Sequence, residues 1–472
     1  MLILANALHI PLADESVQCV VTSPPYWGLR DYGLEPTIWG GDDPGCEHVW
    51  GEERLSEPRK ASETNPQIQR SNRGTSLADD AGTRTSYCQL CGAWRGCLGL
   101  EPTTELYVEH LVAVFREVWR VLRPDGTVWL NLGDSYNSNP SWGRGHSTLE
   151  GRPQNAIPSK PGGGWHDHRK TDGLKTKDLV GIPWRVAFAL QADGWWLRSE
   201  ITWCKGAPMP ESVADRPTSA TEKVFLLTKS ARYYYDNEAV RVPSVSGHAS
   251  GNGFKREARL SYDGRGQDEQ WQPSATRNLW NYWIINPSGF SGAHFAVMPP
   301  ALVEPCIKAG TSERGACPKC GKPWVRIVER GQSTYRKIID EAGITHRDMQ
   351  AEAAKRGTAL KGGGAEGWGG TRNANGTQPH LEPASSVTLG WRPGCECLAY
   401  KRVPIKKWRE VCRIENAEPV PCIVLDPFAG SGTAGRVAAR FGRSFVGLDL
   451  QPAYLPMARE RTDGVQIALA GV

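Results

Sequence analysis

One stretch limits the possible folds more than any other. Residues 422–450 read CIVLDPFAGSGTAGRVAARFGRSFVGLDL: an apolar strand ending in Asp426, a glycine-rich turn, a helix, and a second apolar strand ending in Asp449. Glycine lets the backbone approach a ligand closely, and a helix N-terminus offers free N–H groups. Asp449 lies 17 residues beyond Gly432, where an acid can accept hydrogen bonds from both hydroxyls of a ribose. Gly430-x-Gly432-x-x-Gly435 also satisfies the dinucleotide fingerprint, which fits any nucleoside cofactor. Two features disfavour a dinucleotide. Only 23 residues follow Asp449, too few for a second mononucleotide half. Asp426 would also repel a pyrophosphate; it suits a cofactor with a cationic amino-acid end.

The rest of the chain supplies strands and helices to partner this unit. An opening strand and a second one, Val17–Thr22, lead into Ser23-Pro24-Pro25-Tyr26-Trp27. The clearest helix spans Thr104–Leu122, with Val108, Leu111, Val112, Phe115, Val118, Trp119 and Leu122 at helical spacing. Arg123-Pro124-Asp125-Gly126 ends it as a turn, and a strand TVWLNLGD follows. Residues 137–178 read as a mobile loop, a helix starts at Ile182-Pro183, and WWLRSEITWCK and EKVFLLTKS read as strands. Alternating strands and helices predict an α/β sheet with helices on both faces. The chain has 472 residues, room for two to three domains, and 39% hydrophobic against 23% charged residues permits a folded core. No apolar run is long enough to span a membrane. The opening MLILANALHIPLADES reads as a strand rather than a signal peptide. A net charge of +5 with no basic tail means that nucleic-acid binding would need a local patch.

Two prolines fix φ and remove two N–H donors, so the turn after Val17–Thr22 is rigid. It presents carbonyls, a hydroxyl and an aromatic face together. An exocyclic base amine needs that set: acceptors aimed at its hydrogens and a ring stacked on the base. No deprotonated protein nucleophile is required.

The 13 cysteines, without a secretion signal, argue against a disulfide framework. Eight zinc-type ligands fall into two groups: Cys46, His48, Cys88 and Cys91, then Cys317, Cys320, Cys395 and Cys397. Each group joins two short chelates across a polar or glycine-rich segment that could not hold its own ends together. Cys97 is an alternative to His48. Cys19, Cys204, Cys306, Cys412 and Cys422 read as structural. Because the metal closes polar inserts, its removal should spare the core.

SPPYW together with DPFAGSGT resembles the amino-methyltransferase family of DNA methyltransferases, which methylate an exocyclic base nitrogen from S-adenosylmethionine. With the catalytic motif N-terminal and the cofactor loop C-terminal, the order resembles the permuted beta group. The resemblance implies an α/β, Rossmann-like sheet with circularly permuted motif order, into which the zinc-stapled inserts read from the cysteine spacing are set. It makes Ser23, Pro24, Pro25 and Tyr26 the catalytic tetrapeptide. It gives Asp426, Phe428, Gly430, Gly432, Thr433 and Asp449 to the cofactor. Asn6 stands where relatives often carry Asp near the adenine, and His294, Phe295 and Pro299 fall in a block that flanks the methionine end.

The implied division is 1–35 catalytic part, 36–97 zinc insert, 98–236 core, 237–290 target recognition, 291–312 cofactor flank, 313–418 zinc insert and 419–472 cofactor part. Double-stranded DNA is the implied partner, a cognate restriction endonuclease an admissible second one, and a prokaryotic or phage-infected cytoplasm the implied setting. Arg30, Arg144, Lys205, Arg216, Lys255 and Arg256, with Trp142, Trp165, Trp280 and Trp283, are candidate DNA contacts. Ser before Pro-Pro resembles the cytosine-N4 members more than the adenine-N6 members, where Asp is usual. Three rivals remain. An inactive zinc-stapled DNA-binding protein is opposed by the intact motifs. An RNA or protein amine methyltransferase would more usually carry Asn-Pro-Pro-Tyr. A cytosine-carbon enzyme needs Pro-Cys in a nucleophile loop, and neither Pro305-Cys306 nor Pro421-Cys422 lies in one.

Overall fold

The structure is a computed structural model. It describes residues 1–55, 83–137, 173–208, 210–243, 276–287, 297–330, 386–397, 400–403, 411–414 and 418–470. Eight strands form the central sheet: β1 (Leu2–Leu4), β2 (Val17–Thr22), β3 (Leu122–Leu132), β4 (Trp196–Cys204), β5 (Thr221–Thr228), β6 (Tyr282–Ile284), β7 (Ile423–Asp426) and β8 (Ser444–Asp449). Their order is β1-β8-β7-β2-β3-β5-β4-β6. The run from β1 to β3 is parallel, β5 is antiparallel to both neighbours, and β6 is parallel to β4. β1 thus pairs with the strand that ends in Asp449, Leu2 opposite Gly447.

Among the described residues five α-helices accompany the sheet: α1 (Thr104–Val121), α2 (Ile182–Ala192), α3 (Pro300–Gly310), α4 (Thr433–Arg440) and α5 (Tyr454–Ala470). In α1 the Thr103 hydroxyl accepts from Leu106 N at 3.2 Å, Glu105 sits in the first turn and Arg120 in the last, all favourable to the helix ends. Its buried stripe is Tyr107, Leu111, Val114, Phe115 and Val118. Val108, Val112 and Trp119 lie at its margins. α2 starts after a left-handed Gly181, and the Asp134 carboxylate beyond β3 accepts from Gly181 N at 3.0 Å and Ile182 N at 3.1 Å. Side chains alternate across the sheet: Val128 and Leu130 join the core with α1 and α2, whereas Trp129 joins the core with α3 and α4. Among the described residues no helix is long and apolar enough to cross a membrane.

Three sequence expectations change. The Arg123–Gly126 segment is not a turn that ends the helix; the strand begins at Leu122. Val17 pairs with Leu122 and Cys19 already with Thr127, so the extra residues form an irregularity within the β2–β3 ladder. Arg123 folds onto Asp125 there at 2.8 Å. Second, Tyr282–Ile284, read as target recognition, is the outer strand of the central sheet. Trp283 is 7% exposed in its core, and Trp203 Nε1 donates to Ile285 O at 2.8 Å. A three-residue strand is too short to show alternation. Third, the first insert is not a detachable appendage. Thr37–Trp39, Trp94–Gly96, Arg84–Tyr87 and Arg54–Leu55 form an antiparallel sheet in that order. Its Trp39 and Trp94 stack on His110 of α1, with ring centroids 4.5 and 5.3 Å away. His110 Nδ1 lies 2.9 Å from the Glu101 carboxylate.

Most of the expected mobile loop lies outside the described residues. Its ends are joined, Asn137 N to Asp178 O at 2.8 Å and Lys177 N to Asn137 O at 2.7 Å.

Candidate active site

The chain leaves β7 through α4 for β8 on one side, and leaves β2 through α1 for β3 on the other. Ligands in open α/β sheets bind beyond the strand ends at such a divergence. Here the Thr22 hydroxyl, at the end of β2, donates to Asp426 Oδ1, at the end of β7, at 2.6 Å. A cavity of about 580 Å³ opens beside this bond, within the range of small-molecule sites.

One wall is the glycine loop. Gly430 and Gly432 have φ of 49° and 75°. A Cβ on Gly432 would also lie 2.9 Å from Ala458 Cβ and 3.0 Å from Ala458 O on α5, so shape and conformation both require glycine. Gly435 serves packing instead: a Cβ there would meet the Phe445 ring at 2.6 Å. Asp449 accepts from Gly430 N through Oδ2 and from Gln451 N through Oδ1, each at 2.8 Å, which fixes the carboxylate at the cavity edge. Burial pushes its pKa up. Asp426 is buried and accepts from Phe428 N at 3.1 Å; burial lifts its carboxyl to about 7 against the Thr22 and Phe428 hydrogen bonds. Phe428 and Thr433 line the same cavity, and Arg461 donates to the Thr433 hydroxyl at 3.3 Å. Asn6 lines it too, with Oδ1 accepting from Leu8 N at 3.0 Å. His294 and Phe295 lie outside the described residues; from the same block, Val297 and Met298 reach the cavity.

The facing wall is the Pro-Pro turn. Ser23, Pro24, Pro25 and Tyr26 all line the cavity. The Pro25 carbonyl accepts from Tyr107 Oη of α1 at 2.8 Å. The Tyr26 ring lies where a Cβ on Gly133 would be, 2.5 Å from that position, so the residue after β3 must be small. Tyr26 Oη donates to Glu222 Oε2 at 2.6 Å, and lies 3.0 Å from Asn131 Oδ1 and 3.3 Å from Ser23 Oγ. Glu222 Oε1 is ion-paired with Lys205. Burial, then the Glu222 charge, holds Tyr26 well above the ordinary phenol range, so it stays a neutral donor. Glu222 and Asn131 escape sequence reasoning. Lys205, expected to contact DNA, lines the cavity and is ion-paired with Glu222.

The metal-type residues gather as two groups, in each of which the ligand atoms lie within 4.8 Å of one another: Cys46, His48, Cys88 and Cys91, and Cys317, Cys320, Cys395 and Cys397. Cys46 and Cys88 sulfurs are 3.8 Å apart, and Cys91 Sγ is 3.4 Å from His48 Nδ1. A tetrahedron with zinc–sulfur bonds of about 2.3 Å has edges of about 3.8 Å, somewhat less to nitrogen, so the donors fit zinc. Cys97 Sγ points elsewhere, 3.3 Å from Leu34 O. The second group's knuckle is fastened to the core: Arg123 donates to Cys320 O, and Gln18 Nε2 donates to Gly321 O at 2.9 Å. Cys19, Cys306 and Cys422 are buried, and burial pushes the Cys19 thiol up to about 12.

Of the candidate DNA contacts, Arg144, Lys255, Arg256, Trp142 and Trp165 lie outside the described residues. Arg30 lines the cavity, Arg216 pairs with Glu211 at 2.7 Å over the Tyr136 ring, and Trp280 is 46% exposed beneath Arg277.

A nucleoside-type loop opposite a rigid Pro-Pro aromatic turn, in one chamber at the divergence of a mixed sheet, defines a group-transfer α/β enzyme. The DNA methylase family model matches residues 17–317 and 414–460, and the chain belongs to this family of N6 and N4 amino-methyltransferases. The Type II methyltransferase M.Cfr9I of Citrobacter freundii is 37% identical over 301 residues, 64% of this chain and 68% of its own. M.SmaI of Serratia marcescens is 34% identical over 305 residues, 64% of this chain and 72% of its own. M.SfiI of Streptomyces fimbriatus is 29% identical over 454 residues, 94% of this chain and 86% of its own.

Proposed function

We propose that this DNA methyltransferase transfers methyl from S-adenosylmethionine to N4 of cytosine at specific sites in double-stranded DNA, in the permuted arrangement of the family. One observation carries the proposal: Ser23-Pro24-Pro25-Tyr26 and the Gly430–Asp449 loop system face each other across one cavity. The target base must leave the duplex to enter such a chamber. Ser23 Oγ and the Pro24 carbonyl accept the amine hydrogens, and the Tyr26 ring stacks on the base. The cofactor, when bound, supplies an electrophilic methyl group on a sulfonium. Gly430 and Gly432 admit it closely, Asp449 takes the ribose hydroxyls, Asn6 lies on the adenine side and Asp426 faces the cationic end. No thiolate is required, consistent with the burial of Cys19, Cys306 and Cys422.

The test is digestion of methylated DNA to nucleosides followed by mass spectrometry. N4-methylcytosine is expected. N6-methyladenine would move the target to the other amine of the family, and 5-methylcytosine would overturn direct transfer.

Asp449→Ala removes an ionised acceptor from two hydroxyls. Such bonds contribute roughly 1.5–3 kcal/mol each, so cofactor affinity should fall at least about tenfold by calorimetry. An unchanged dissociation constant would remove the assignment. Cofactor affinity should also fall with pH. The Asp426 carboxyl, raised to about 7, binds its proton more tightly folded than unfolded. Its burial therefore costs no stability below the unfolded value, and a cost that grows as pH rises towards 7. A cationic ligand favours the ionised form, so binding should weaken as pH drops below about 7. Affinity that is flat between pH 6 and 8 would separate Asp426 from the cationic end.

Both ligand groups are assigned zinc. Four protein donors leave no open position, so each site is structural rather than catalytic.

A further inference from the structure

On the reading that this cavity methylates a base amine, we propose that Ser23, Tyr26 and Glu222 form a proton relay that removes the amine proton during transfer. The three groups are aligned: Ser23 Oγ donates to Tyr26 Oη at 3.3 Å, and Tyr26 Oη donates to Glu222 Oε2 at 2.6 Å. All three line the cavity. The relay begins on the hydroxyl placed to accept an amine hydrogen and ends on a carboxylate.

The step balances. The amine lone pair forms the bond to the methyl carbon, and the electrons of the carbon–sulfur bond stay on sulfur. The nitrogen, now short of electrons, gives its proton to Ser23 Oγ. Ser23 passes its own hydroxyl proton to Tyr26 Oη, and Tyr26 passes its proton to Glu222. Glu222 keeps a side-chain exposure of 14%, enough to release the proton to water.

The surroundings suit this role. Lys205 is ion-paired with the other carboxylate oxygen and holds Glu222 in orientation. That does not disable it as an acceptor, because the exocyclic nitrogen of a base, its lone pair taken from the ring into the new bond to methyl, is a far stronger acid than an ordinary side-chain carboxylic acid. Asn131 donates through Nδ2 to Glu222 Oε2 at 3.2 Å and to Lys223 O at 3.2 Å, which fixes the amide with Oδ1 towards Tyr26. A neutral amide oxygen can position the phenol but cannot take up its proton. In the sequence Glu222 has no motif around it; β5 brings it beside β3 and β4.

The experiment uses the full-length protein, unmodified genomic DNA and S-adenosylmethionine with a tritiated methyl group. Single-turnover transfer is measured in water and in deuterium oxide. Positioned acid–base groups contribute about 10²- to 10⁴-fold. Glu222→Gln keeps the shape and hydrogen-bonding reach, and Tyr26→Phe keeps the stacking ring. Each should slow transfer by about 10- to 100-fold with unchanged KM for DNA and cofactor, the lower end reflecting partial replacement by water. The double variant should be no slower than the slower single one, and the wild-type solvent isotope effect should shrink in all three. Full-speed transfer by Tyr26→Phe, multiplying effects, or a loss confined to KM would overturn the relay. If the wild type methylates a base amine while Tyr26→Phe runs at full speed, the relay alone fails. A wild type that leaves no N-methylated nucleoside removes the underlying reading and the relay with it.

Discussion

Tyr26→Ala is expected to lower single-turnover methylation by about a hundredfold or more while leaving S-adenosylmethionine affinity unchanged. Two losses combine. Stacking of a base on an aromatic side chain contributes roughly 1–3 kcal/mol. Removing the phenol also interrupts the hydrogen-bonded path to Glu222. The cofactor wall is held independently, by Gly430 N and Gln451 N on Asp449 and by Thr22 on Asp426. Equilibrium binding of the cofactor beside rapid-quench methyl transfer separates the two walls. A variant that loses cofactor affinity in parallel with rate would show that the turn supports the loop and does not handle the base.

Cys88→Ser with Cys91→Ser is expected to release one of two zinc ions and to lower the melting temperature by roughly 3–5 °C. The pair sits on the turn that leads into Trp94–Gly96, with Cys88 N donating to Ala93 O at 2.7 Å. Trp94 is 1% exposed in the main core beside α1, and Trp39 is 6% exposed next to it. Freeing that hairpin withdraws large aromatic groups from the core, a loss of about 3–5 kcal/mol by comparison with tryptophan truncation. Metal content by mass spectrometry and scanning calorimetry give the two readings. Loss of the metal with an unchanged melting temperature would make the first insert the separable appendage that its polar sequence suggests.

The legible parts of the fold share one property: their signal is local. The α1 stripe repeats over five turns. The glycine loop, both cysteine knuckles and the Pro-Pro turn each lie within a few residues. The signal is lost where structure depends on pairing across long separations. Asn131 and Glu222 meet because β3 and β5 pair antiparallel, Asn131 opposite Val224, and nothing adjacent to either residue marks them. Tyr282–Ile284 becomes a core strand only because β4 offers an edge. The first insert appears polar because its few buried aromatics, Trp39 and Trp94, are spread among loop residues; their partner, His110, lies on the polar margin of an otherwise apolar helix stripe. By spacing Cys97 is an alternative to His48; the fold of the insert brings His48 beside Cys46, Cys88 and Cys91 and turns Cys97 towards Leu34 O.

The strand order has a consequence for biosynthesis. Met1 donates through its ammonium group to Phe445 O, 444 residues away, and the wall that receives the cofactor is built from β7, β8 and the loops beyond them. At about 5–20 residues per second, a ribosome delivers those strands roughly 20 to 90 s after the Pro-Pro turn. During that interval β2 has an open edge where β7 will dock, an invitation to mispairing on a crowded nascent chain. A translation product that stops before β8 lacks Asp449 and the residues beyond it that line one wall of the chamber. The chamber closes only when the late strands have joined the first.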